Sequence, residues 1–195
     1  SLIRHEKTLT TKVLLNKEQQ ILKYARDNLG SSKEIVTETA FVYHCQKFEK
    51  RESARSSEFQ MNKSQRRAIK HILTSKDKII TMEGLPGVGK STVLNAVRDI
   101  TDKRIINIVG LSQSFEGMAP TASAAKTLRE STKVETQTLH SFIAKYQGYI
   151  EGRGMNSLSS IKQEYKHTII FVDEASLIST NIMHKLLTLQ DKLNF

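Results

Sequence analysis

Apolar positions along this chain fall into short continuous runs and into stripes at helical spacing. Lys78-Ile79-Ile80-Thr81-Met82 predicts a buried strand, and Arg104–Val109 predicts another. Thr168-Ile169-Ile170-Phe171-Val172 is continuous enough to predict a central parallel strand. Between these runs the period changes. Val93, Leu94, Val97 and Ile100 recur at helical spacing, and Leu139, Phe142, Ile143 and Tyr146 share one helical face closed by Gly148. Thr121 is placed to cap a helix carrying Ala122, Ala124, Ala125 and Leu128. A last helix is expected over Thr180–Leu193.

The first 60 residues read as a helical region, and residues 61–195 as a separate α/β unit. Asn16 followed by Gln19 has the spacing of a capping box. Ile21, Leu22, Tyr24 and Ala25 form a partly apolar stripe, and Gly30 supplies a stop. A second helix is expected over Glu34–Glu49, followed by a charged, serine-rich linker at Lys50–Ser57. Asn62 and Gln65 repeat the capping pattern ahead of a helix at Lys63–Leu73. Tyr149–His167, with its glycines and serines, is expected to be a mobile surface loop.

The chemistry concentrates where strand gives way to helix. Gly84-Leu85-Pro86-Gly87-Val88-Gly89-Lys90-Ser91-Thr92 fits G-x-x-x-x-G-K-[ST], the phosphate-binding P-loop, between a predicted strand and a predicted helix. Glycines let successive N–H groups converge on phosphate oxygens. The helix that follows adds its unpaired first-turn N–H groups and the positive end of its dipole. Lys90 is placed to reach the outer phosphates of ATP, and the Ser91 hydroxyl to hold Mg²⁺. The bland alternative is a glycine-rich turn that binds nothing.

Asp173-Glu174 follows the predicted strand 168–172, and ligands of open α/β sheets sit at the carboxyl ends of strands. Asp173 is the candidate Mg²⁺ residue, and Glu174 the group that activates an attacking water. An acidic pair alone could equally cap the next helix. Beside a P-loop it indicates hydrolysis.

Charge changes the picture next. The chain of 195 residues carries a net charge of +10, with +7 in residues 61–195. Lys63, Arg66, Arg67, Lys70, Lys76 and Lys78 share one stretch with a single acid, Asp77. That stretch is either a solvated helix face or a polyanion contact. No run reaches the roughly 20 apolar residues that cross a bilayer, and the start lacks the apolar segment of a secretory signal. A single cysteine, Cys45, leaves no intrachain disulfide and suits a reducing, cytoplasmic setting. His44 beside it lacks the further ligands of a metal site.

Taken in order, these pieces resemble the first half of a superfamily 1 helicase motor of the RecD-like branch. They are most similar to the helicase part of TraI-like conjugative relaxase-helicases. The resemblance covers about residues 60–190. Met61-Asn62-Lys63-Ser64-Gln65 is similar to the family's Q motif, which implies that Gln65 contacts adenine. Gly117-Met118-Ala119-Pro120-Thr121-Ala122-Ser123-Ala124-Ala125 looks like its A-P-T-x-x-A-A segment. Thr138-Leu139-His140 looks like its T-L-H element, and Asp173-Glu174-Ala175-Ser176 like its strand-end acids.

The resemblance implies a P-loop, RecA-like parallel sheet with flanking helices, forming an incomplete first motor lobe. It implies ATP-driven movement on single-stranded DNA, with Pro120, Thr121, Ser123 and His140 along the DNA. The plainer alternative for Thr121 and Ser123 is an ordinary helix cap, while His140 could equally be a buried, hydrogen-bonded histidine. Leu111–Glu116 departs from the family by standing between the expected strand and the A-P-T segment. Ser1 is not Met, and no later helicase motif follows before Phe195, so the chain reads as a fragment. Without an arginine finger, worth about 10³–10⁵ in rate in related systems, it is expected to turn over ATP very slowly. The alternatives are a docking module for a secretion coupling protein, or another P-loop ATPase or kinase.

Overall fold

The computed structural model describes residues 2–5, 8–84, 87–101, 114–153 and 157–195, with side-chain surroundings from residue 11 onward. The described chain divides into two compact units, Asn28–Ser114 and Ser1–Asp27 with Phe115–Phe195.

Among the described residues of the unit 28–114, helices α2 (Glu38–Arg55), α3 (Lys63–Thr74) and α4 (Lys90–Thr101) pack on one another. Their inward faces supply Phe41, Cys45 and Phe48, then Ile69 and Leu73, then Val93, Ala96, Val97 and Ile100. Each side chain of the Ile69 class contributes about 1.5–3 kcal/mol by leaving water. Thr37 caps α2 by accepting from the Ala40 N–H. The helix runs on to Arg55, so the linker expected at Lys50–Ser57 is mostly helical. Its two arginines are held in ion pairs, Arg51 with Glu52 and Asp99, and Arg55 with Glu52.

No strand is assigned over Lys78–Met82, contrary to expectation. Lys78, at the start of this run, donates its N–H to Asn28 O in a loop. The expected strand Arg104–Val109 lies outside the described residues.

In the other unit, β1 (Leu2–His5) and β2 (Thr8–Thr11) form an antiparallel pair. Helix α1 (Lys12–Asp27) follows directly. Asn16 therefore sits inside a helix rather than capping one; the Thr11 hydroxyl accepts from the Leu14 N–H instead.

The second sheet has the order β4–β3–β5, with β3 (Ser114–Ala119) between β4 (Thr136–Thr138) and β5 (Thr168–Val172). β3 and β4 run parallel, with Met118 opposite Gln137. β5 is at one end of the described order rather than central, and its residues 169–172 are only half-buried. A Cβ on Gly117 would lie 2.8 Å from Thr136 Oγ1 and 3.1 Å from Leu128 Cδ2, so only glycine lets these layers close.

Helices α5 (Ala122–Thr132), α6 (Leu139–Lys145), α7 (Gln147–Ile150), α8 (Leu158–Tyr165) and α9 (Thr180–Leu193) complete this unit. Its core joins Met118, Leu139, Phe142, Tyr146, Tyr165, Leu189 and Leu193. The surface loop expected at Tyr149–His167 is corrected by α8, which buries Tyr165 and lets its hydroxyl meet that of Tyr146 at 3.0 Å. Burial comes first among the causes that push the Tyr165 phenol well above its ordinary range, and the Tyr146 hydrogen bond second.

Candidate nucleotide and strand-end sites

A helix cap braces the P-loop. Asn62 Oδ1 accepts from the Gln65 N–H at 2.8 Å, and Gln65 Oε1 accepts from the Asn62 N–H at 3.0 Å. This reciprocal box fixes the Gln65 side chain at the start of α3. Its remaining donor, Nε2, reaches the Val88 carbonyl at 3.1 Å. Both ends of the amide are thus engaged, one with its own helix and one with the glycine loop.

Gly87 and Gly89 have φ of +78° and +87°. An L side chain is disfavoured there, and at Gly89 space is lacking as well: a Cβ would lie 2.2 Å from Gln65 Nε2. Helix α4 begins immediately after, with Val93 N–H donating to Gly89 O at 3.2 Å. Lys90, Ser91 and Thr92 therefore occupy the first turn, whose N–H groups have no acceptor within the helix. Lys90 folds back over the loop and donates from Nζ to Gly84 O at 3.0 Å. Gly84 opens the loop and Val88 is 44% exposed, while Leu85 and Pro86 lie outside the described residues. A glycine cradle, a free helix start and an ammonium group at one loop fit a polyphosphate.

In the other unit, β3 ends at Ala119 and leads directly into Pro120 and Thr121. The strand expected upstream is therefore not the one that feeds this segment. Residues 114–116 of the supposed interruption are β3 itself, while 111–113 lie outside the described residues. The Thr121 hydroxyl accepts from the Ala124 N–H at 3.2 Å, so it is the cap of α5. Thr138 does the same for α6, accepting from Ser141 N–H at 3.1 Å. Thr121, Ser123 and His140 are all exposed, so the buried reading of His140 is corrected.

Asp173 extends the β5 ladder by donating its N–H to Met118 O at 2.9 Å, close to the end of β3. Pro120, Thr121, Thr138, Asp173 and Glu174 consequently gather where the carboxyl ends of the three strands meet. Sequence spacing did not give this grouping, because it depends on β3. Asp173 Oδ1 accepts from the Glu174 N–H at 3.0 Å. Glu174 is exposed and stands in the left-handed region, φ 51° and ψ 38°, a conformation that non-glycine residues hold at a cost of about 1–3 kcal/mol. Backbone strain at the carboxyl end of a strand is a common companion of function.

A family model described as "AAA domain" matches residues 60–194. The chain belongs to that family. Curated relatives agree with it. The multifunctional conjugation protein TraI of Escherichia coli strain K12 is 28% identical over 127 residues, 63% of this chain and 6% of its own length. A second Escherichia coli TraI is 28% identical over 120 residues, 60% of this chain and 6% of its own. The chain thus spans only a small part of the relatives it matches. These matches bear out the resemblance to a TraI-like superfamily 1 helicase motor and the P-loop NTPase fold class. At the level they reach, the AAA domain is a nucleotide-binding, helicase-like module. Among the described residues, no helix is long and apolar enough to cross a membrane.

Proposed function

We propose that residues 61–195 form the N-terminal part of a RecA-like motor lobe, the ATP-binding part of a cytoplasmic single-stranded DNA translocase in conjugative DNA transfer. The observation that carries this reading is the glycine loop at Gly84–Thr92, bent by Gly87 and Gly89 and followed at once by the start of α4.

In this reading the first-turn N–H groups of α4 and the Lys90 ammonium bind the phosphates of ATP and offset charge on the transferred phosphoryl group. Release of Lys90 from the Gly84 carbonyl accompanies binding. Ser91 and Asp173 supply the oxygen ligands that would hold Mg²⁺. When bound, that ion neutralises phosphate charge. Glu174 accepts a hydrogen bond from the attacking water and orients it. Gln65 faces adenine with whatever part of its amide the Val88 bond leaves available. Pro120, Thr121, Ser123 and His140 lie along single-stranded DNA, with exposed hydroxyls and the start of α5 offered to its phosphates. A docking module for a secretion coupling protein is the alternative reading.

ATP hydrolysis with and without single-stranded DNA tests the reading, with this chain and with one extended through a second motor lobe. DNA-stimulated turnover is expected in the extended chain, with little in residues 1–195 alone. Lys90→Ala should abolish it. Glu174→Gln should spare nucleotide binding and remove hydrolysis. Turnover that survives Glu174→Gln would refute the assigned role. The absence of DNA stimulation in either chain would move the reading to a docking module or another P-loop enzyme.

A further inference from the structure

On a different face of the 28–114 unit, α2 and the C-terminal end of α4 line an open cavity of about 340 Å³. Its apolar lining comes from Phe48 and Ile100, which are 5% and 1% exposed, with Ala54 at the mouth. One wall is the Arg51–Asp99 ion pair at 2.8 Å, and the Arg51 guanidinium lies 5.5 Å from the centre of the Phe48 ring. The volume is at the lower end of small-ligand pockets and accommodates one large apolar side chain.

The rim carries unspent positive charge. Lys47 and Lys50 are exposed and form no ion pair among the described residues. The nearby acids are already engaged: Glu49 with Arg66 at 2.7 Å, Glu52 with Arg51 and Arg55, and Asp99 with Arg51. Tyr43, 62% exposed, precedes Lys47 by one turn. Tyr43, Lys47, Lys50 and Ala54 fall on one helix stripe, so the surface extends for about 16 Å along α2.

We propose that this face binds an acidic peptide segment of a protein partner. One large apolar side chain enters the cavity, and flanking carboxylates meet Lys47 and Lys50. The length of the surface favours a peptide over a small aromatic acid, which would leave Tyr43 and one lysine unused. A nucleic acid strand stacks its bases on open aromatic faces. Phe48 offers no such face, being buried beneath Arg51, and Tyr43 gives the stripe one open ring rather than a row of them. The proposal is independent of what the P-loop binds.

Fluorescence anisotropy of the full chain with a labelled peptide, one phenylalanine set within a run of aspartates, tests it. Saturable binding is expected. Replacing the peptide's phenylalanine with alanine should weaken it about tenfold, the equivalent of ~1.4 kcal/mol. Lys47→Glu and Lys50→Glu should each weaken it by a similar factor, and Ala54→Trp should block the mouth. Circular dichroism confirms that each surface variant is folded. Equal binding of a peptide of aspartates alone would overturn the proposal by reducing it to general charge attraction. Full competition by oligothymidylate would overturn it in favour of nucleic acid. Naphthoate binding as tightly as the peptide would overturn it in favour of a small molecule.

Discussion

Gln65 donates from Nε2 to the carbonyl of Val88 at 3.1 Å, so the cap of α3 is tied directly to the glycine loop that opens α4. The same amide accepts from Asn62 N–H through its oxygen. Gln65→Ala removes both bonds and should cost about 1–2 kcal/mol of stability. Gln65→Glu keeps an acceptor for Asn62 but presents oxygen to the Val88 carbonyl. It should hold the cap and loosen the loop. Thermal denaturation and titration of a fluorescent ATP analogue separate the two effects. Unchanged nucleotide affinity in both variants would mean that the tether does not shape the loop.

Gly89 and Gly87 share a positive φ but differ in surroundings. Gly87→Ala meets open space, so its cost is backbone strain alone, about 1–3 kcal/mol. Gly89→Ala adds a collision with Gln65 Nε2, which relieves itself only by breaking the bond to Val88. Gly89→Ala should therefore be the more damaging change. Part of its cost should vanish in a Gln65→Ala background, a coupling that a double-mutant cycle measures.

Glu174 holds a left-handed backbone that glycine adopts freely. Glu174→Gly should raise unfolding stability by roughly 1 kcal/mol while deleting the carboxylate assigned to water. Glu174→Gln, with the strain kept, should leave stability unchanged. Chemical denaturation of both variants checks this. A destabilised glycine variant would show that the conformation is not strained.

The contact between α1 and α9 should weaken at both extremes of pH. Tyr24 bonds Gln190 across it, and burial followed by the Asp191 charge pushes the phenol up to about 12. A raised phenol pKa means the folded state favours the neutral form. Its contribution is complete below the unfolded value of about 10 and is lost as pH climbs through 12. His184 bonds Gln20 at 2.6 Å, and burial followed by the Lys17 charge lowers its pKa. That contribution is complete above about 6.5 and is lost as pH falls through the depressed folded value. Tyr24→Phe should flatten the alkaline limb and His184→Gln the acid limb of stability against pH. A limb unchanged by its substitution would assign the loss to other groups.

Some elements were legible because local chemistry and tertiary demand agree. The helix Thr180–Leu193 has its Ser179 cap and an apolar stripe that the core uses. The Asn62–Gln65 box opens α3 where the pattern says, but the like-spaced Asn16–Gln19 is overridden because β2 runs straight into α1 and Thr11 supplies the cap. Residues 50–55 look like a linker by composition. They are helical because Phe48 is buried and Arg51 reaches Asp99 on another helix. At Tyr149–His167, serines and glycines outweighed the one residue that decides, Tyr165, whose ring is fully buried beside Tyr146. β3 is not legible in the pattern because Gly117 interrupts its apolar run, and the need for glycine comes from Thr136 and Leu128 across the layers.

The sequence by itself determined the glycine loop, its lysine, the strand-end acids and the caps at Asn62 and Thr121. Those depend on residue type at fixed short spacing, which the backbone translates directly into geometry. Only the tertiary structure decided that Gln65 grips Val88, that β3 leads Pro120 and Thr121 to the strand end beside Asp173, and that α2 and α4 leave a cavity between them. Each of these joins residues far apart in the chain. Their meeting is set by how buried faces pack, which no local spacing encodes.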